Sequence, residues 1–115
     1  MGKGEFTQLA ERLRSFARDR DWDRFHTPKN LAASVAIEAA ELQEVFQWLT
    51  DSEAAILSPD QLAKVREELA DVAIYAIRLA DRLGIDLPQA IDAKIIANEL
   101  RYPAEAVRGT AAKRP

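Results

Sequence analysis

Three capping residues are each followed by proline, at once or after one residue: Thr27-Pro28, Ser58-Pro59 and Asp86-Leu87-Pro88. A hydroxyl or carboxylate accepts from the orphan amides of a helix's first turn. Proline costs little there, because the N–H it lacks would have no partner. Each pair therefore opens a helix and stops any earlier helix from running through it. Gln61 lies three residues after Ser58, which completes a capping box. Ahead of these signals a first helix is expected from about Phe6 to Arg20, with Phe6, Leu9, Leu13, Phe16 and Ala17 on one face. The second should run from Pro28 to about Leu49, and the third from Pro59 to Leu83, with Gly84 as its stop. The fourth should run from about Leu87 to Arg101, before Pro103. TDSEAAILSP reads as a connection, and no segment alternates as a strand would. Long helices with short connections predict an all-α fold, an antiparallel bundle of about four helices. Residues 1–103 form a single domain in this reading, and residues 104–115 a mobile tail with little to bury.

At 115 residues the chain suits one core. Its net charge of -3, with both signs mixed along the chain, argues against a nucleic-acid partner. There is no cysteine and one histidine, His26, which argues against disulfides and zinc. The opening MGKGEFTQLAERL is too charged for a signal peptide, and no apolar run approaches membrane-spanning length. A cytoplasmic protein without a membrane partner is expected. Residues 72–77, VAIYAI, are apolar all round their helix and need cover on every side. Four helices offer too little of it, so another copy of the chain is expected to supply the rest.

Two acidic pairs interrupt the apolar pattern. With about 100° per residue, Leu31, Val35, Leu42, Val45 and Leu49 fall within about 60° of Glu38, which places Glu38 inside the core-facing stripe of the second helix. Glu41 lies at its edge, beside Ile37 and Trp48. The third helix carries Glu68 and Asp71 at the same spacing, just before the apolar run, with Tyr75 one turn on. A single pair of this kind is usually a solvated helix face. Two pairs on the apolar sides of two neighbouring helices repel one another, and either take up protons or hold a cation. Oxygen-only donors point to a hard ion, Mg²⁺ or Mn²⁺. A di-iron bundle would need Glu-x-x-His ligands, and the one histidine lies outside the helices.

Glu38-x-x-Glu41 followed by Glu68-x-x-Asp71 resembles the metal-binding signature of the MazG-like nucleoside triphosphate pyrophosphohydrolases. The flanks DWDRFHTPKNLA, ELQEVFQW, EELADVAIY and KIIANELRYP, in this order, are similar to the dCTP pyrophosphatase branch. The likeness covers Trp22 to Pro103. It implies an all-α enzyme that uses Mg²⁺ to split a nucleoside triphosphate, dCTP or a modified dCTP, into the monophosphate and pyrophosphate. It also implies a homotetramer, a dimer of dimers, with sites built at subunit contacts. Glu38, Glu41, Glu68 and Asp71 are then the catalytic metal ligands. Trp22 and Trp48 pack on the base, with His26 and Tyr75 near base and sugar. Lys94, Asn98, Arg101 and Tyr102 help to hold the phosphates. Where the branch can carry a histidine on the first helix, this chain has Leu13.

Aromatic rings stack on any base face, although core packing is the commoner fate of tryptophan. Glu41 and Glu44 are both candidates for the general base that activates water. Two rival readings accompany the enzyme: a catalytically inactive nucleotide-binding or regulatory helical oligomer, and a structural bundle with no ligand.

Overall fold

The computed structural model describes residues 4–115. Six helices, and no strand, are found among them: α1 (Glu5–Asp19), α2 (Pro28–Phe46), α3 (Asp51–Ala55), α4 (Pro59–Arg82), α5 (Leu87–Arg101) and α6 (Ala104–Val107). The four expected helices are α1, α2, α4 and α5. None of the helices is long and apolar enough to cross a membrane.

The cap signals act as read. Thr27, Ser58 and Asp86 accept from the amides of Asn30, Gln61 and Gln89, and Gln61 reaches back to the Ser58 amide in a full capping box. Short α3 lies inside the expected connection because Thr50 and Glu53 form a second capping box there. Gly84 ends α4 in the left-handed region, at φ 67°, where its amide bonds the Asp81 carbonyl at 3.2 Å.

The chain divides after Gly84 into two compact units. In the first, α2 packs along α4, and α1 lies on α4 as well. Ala17, Leu31, Ile77 and Ala80 are its buried apolar residues. Around this thin core many large apolar side chains remain exposed, among them Ile37, Leu62, Leu69 and Ile74. The second unit holds α5 and α6. Within it, residues 104–115, expected to be a mobile tail, carry α6. The Arg114 backbone there accepts from the Arg101 guanidinium and donates to the Tyr102 hydroxyl.

Candidate active site

The α2–α4 pairing brings Glu38, Glu41 and Glu68 together, with one carboxylate oxygen from each lying within 4.8 Å of the others. Glu68 is 5% exposed, Glu38 is half-buried and Glu41 is exposed. Oε2 of Glu38 and Oε2 of Glu68 are buried without a hydrogen-bond partner. Leaving such atoms unpaired is costly. The group relieves itself by taking up a proton. The hydrogen bond with Glu41, then burial, then the charges of Glu41, Asp71 and Glu68 push the Glu38 carboxyl up to about 7. Glu68 moves the other way, because the Lys64 ammonium 2.9 Å from its Oε1 holds it below the ordinary carboxyl range. Two orphaned buried oxygens among clustered carboxylates, with no nitrogen or sulfur donor, fit a hard divalent cation. Asp71 is not in the tight group, although its charge acts on Glu38.

Asp71 instead lines a cleft of about 260 Å³ together with Leu13, Phe16, Trp22, His26, Ile74, Tyr75 and Arg78. The turn after α1 positions Trp22. Asp21 adopts the left-handed conformation at φ 55°, its amide bonds the Arg18 carbonyl at 3.1 Å, and the Trp22 amide returns to the Ala17 carbonyl at 2.8 Å. This is a Schellman ending with aspartate in the place glycine usually takes. The Trp22 carbonyl then accepts from the His26 amide at 3.0 Å, and Thr27 starts α2. The ring centroids of Trp22 and His26 are 6.0 Å apart, those of His26 and Tyr75 6.5 Å, and those of Phe16 and Trp22 5.6 Å, edge to face. Burial, followed by the charges of Glu38, Asp71 and Glu41, raises the Tyr75 phenol above its ordinary range. The cleft and the carboxylate group thus meet through Asp71 and Tyr75.

Of the other expected site residues, Trp48 belongs to the first unit, and Lys94, Asn98, Arg101 and Tyr102 to the second. Trp48 follows α2, is 85% exposed, and is not among the cleft residues. Lys94 and Asn98 are exposed on α5, and Arg101 and Tyr102 end that helix, with the guanidinium over the phenol ring at 5.3 Å. Leu13 lines the cleft from α1.

Two groups were missed in the sequence. Lys64 is one. Arg78 is the other: it is 2% exposed, bonds Asp23 at 2.6 Å and His26 Nδ1 at 3.3 Å, and reaches Asp81 at 3.4 Å. Asp81 also takes two bonds from Arg14, which hold its carboxyl below the usual range. Arg78 stands one turn beyond Tyr75 and interrupts the apolar run, so a charge at the end of VAIYAI was the available signal.

A profile of the MazG-like family matches residues 33–113. The chain is 45% identical over 100 residues to dCTP pyrophosphatase 1 of Mus musculus and, equally, to dCTP pyrophosphatase 1 of Homo sapiens. In both cases the match covers 85% of this chain and 59% of the relative, so the chain spans less than two thirds of those proteins. A pyrophosphatase from Archaeoglobus fulgidus of known structure superposes with a TM-score of 0.74 at 38% identity, covering 90% of this chain and 96% of that one. The profile match and these likenesses show that this chain belongs to the MazG-like family.

Proposed function

We propose that this protein is a metal-dependent nucleoside triphosphate pyrophosphohydrolase, acting on dCTP or a modified dCTP and releasing the monophosphate and pyrophosphate. One observation carries the reading: Glu38, Glu41 and Glu68 form one carboxylate cluster, in which Oε2 of Glu38 and Oε2 of Glu68 are buried and unpaired. These three, with Asp71 beside them, would hold Mg²⁺, or Mn²⁺ in its place. Such an ion, when bound, neutralises triphosphate charge and acidifies a water. The chain's own residues do the rest. Trp22 and Tyr75 offer ring faces and edges to a base in the cleft, and His26 offers a nitrogen between them. Glu41 and Glu44, both exposed, are read as the candidates to take a proton from water. Lys94, Asn98, Arg101 and Tyr102 are read as phosphate contacts, and Trp48 as a base contact.

We read the working form as a homotetramer, a dimer of dimers. Ile37, Leu62, Leu69 and Ile74 are exposed, and covering them with another copy would remove apolar surface from water, which supports that reading. Residues 1–103 are taken as the catalytic domain and 104–115 as a tail outside it.

The deciding experiment measures pyrophosphate release from a panel of deoxy- and ribonucleoside triphosphates, with and without Mg²⁺. Release from dCTP that needs the metal, and falls at least about a hundredfold in Glu38→Gln with the helical circular dichroism signal unchanged, supports the proposal. Full activity in that variant, or no release from any nucleotide, overturns it.

A further inference from the structure

Among the described residues of the first unit, Arg78 is the most deeply buried charge. Burying a guanidinium is costly, and its ion pair with Asp23 accounts for one edge of it. The remaining donors are the informative part. Its Nε–H points at Nδ1 of His26, 3.3 Å away. A guanidinium has donors only and does not give up its proton. Nδ1 must therefore be the acceptor, and it cannot carry a proton itself. A neutral imidazole has one N–H, so the proton sits on Nε2, on the other side of the ring.

We infer that Arg78 is a positioning residue that locks His26 as the Nε2–H tautomer, so that the aromatic cleft presents a hydrogen-bond donor between Trp22 and Tyr75. That donor selects a ligand ring with an acceptor at its edge, as the carbonyl of a 2-oxo pyrimidine provides.

The surrounding charges agree. Asp23, on the same connection, favours the imidazolium, whereas Arg78 and Arg82 of α4 oppose it. Asp71 and Tyr75 of α4 line the same cleft, and α1 contributes only apolar Leu13 and Phe16. Burial first, and the Arg78 charge second, keep the ring neutral. Protonation would also set an N–H on Nδ1 against the guanidinium. Arg78 is anchored from two further sides by Asp23 and Asp81, and Asp81 is fixed in turn by Arg14. The ring orientation thus traces back to α1.

His26 is the chain's one histidine, so the measurement is unambiguous. Nitrogen-15 NMR of the unaltered, ligand-free protein at neutral pH should show a protonated Nε2 and an unprotonated Nδ1. A protonated Nδ1, or an averaged mixture of both forms, overturns the inference without any variant being made. In Arg78→Met the two tautomers should mix. If Arg78 only supported the fold, melting would shift in that variant and the tautomer would not.

The ligand half of the inference rests on the nucleotide reading above. There, Arg78→Met should raise KM for dCTP by roughly three- to tenfold, the scale of one neutral hydrogen bond, with a smaller change in kcat. An unchanged KM overturns the ligand half. A locked tautomer in a protein that turns over no nucleotide upholds the Arg78–His26 assignment and removes the enzyme reading alone.

Discussion

Lys64 and Glu68 stand one turn apart on α4, with the ammonium 2.9 Å from Oε1, while Oε2 of the same carboxylate is buried and unpaired. One oxygen already has a cation and the other waits for one. Lys64 therefore acts as a rival to any metal that Glu68 would help to bind. Its outer end is exposed, so it can leave at little cost. Replacing it, Lys64→Met, should lower the half-saturating Mg²⁺ concentration by about two- to fivefold, the scale of an exposed ion pair. The metal-free variant should also melt earlier, because three carboxylates then share the pocket without relief. Calorimetric titration with Mg²⁺ alone checks the first point, and unchanged or weaker binding counts against this account.

The Glu38 carboxyl, pushed up to about 7 from an ordinary 4.5, sets a pH dependence with a definite sign. Between those two values the folded chain holds a proton at Glu38 that the unfolded chain has released. Stability from this group is complete below about 4.5 and is lost as pH rises through about 7. His26, held below its ordinary value by burial and Arg78, works the other way just under 6.5, where the unfolded chain binds the extra proton. Glu68, held low by Lys64, contributes stability that is lost only as pH falls below the ordinary carboxyl range. Melting of the metal-free protein between pH 4.5 and 7 should therefore fall more steeply in the parent than in Glu38→Gln. Mg²⁺ should bind more tightly as pH rises through 7, since it must displace that proton. Parallel melting curves in the two proteins would exclude the assignment.

The Ser58 capping box tests the local code. Ser58 accepts from the Gln61 amide at 3.2 Å, and Gln61 returns a bond to the Ser58 amide at 2.9 Å. The Ser58→Ala change leaves the α4 first turn unsatisfied and should cost about 1 kcal/mol, or about 4 °C in melting temperature. Activity per folded molecule should change little, because Ser58 stands about 15 Å before Glu68 along α4, although its cap partner Gln61 lines a pocket with Glu41 and Glu68. Thermal melts and specific activity together check it.

Helix starts were legible because capping is local: Thr27, Ser58 and Asp86 need only their own next three residues. The Glu38–Glu68 meeting was half legible. Periodicity put each glutamate on an apolar side, and only the α2–α4 pairing sets their oxygens within reach of each other. Asp71 shares the periodic face with Glu68, yet it turns to the aromatic cleft, a side-chain choice that spacing does not encode. Short α3 was hidden in a segment read as a connection, although Thr50 and Glu53 have the capping-box spacing. Arg78 was passed over because a lone arginine after an apolar run resembles a helix-end surface charge. Its partners Asp23 and His26 lie more than fifty positions away, and only folding brings them to it.

Trp48 gives the most direct reading of assembly. It is 85% exposed in one chain, yet it is proposed to meet the base, and Trp22 alone of the two tryptophans lines the cleft. Both statements hold together if Trp48 reaches a site only when a second copy covers it. In Trp22→Phe, Trp48 is the sole indole. On dilution through the assembly midpoint its emission should shift to the red, as a covered ring becomes hydrated, and the shift should coincide with loss of the larger species in sedimentation. Nucleotide should quench it in the assembled form and leave it unchanged in the dissociated one. In the converse variant, Trp48→Phe, Trp22 should keep the same emission at every concentration, since its ring contacts, Phe16 and His26, lie within one chain. Red emission from Trp48 at all concentrations, with full activity, would place it outside the site and leave Trp22 as the ring that meets the base.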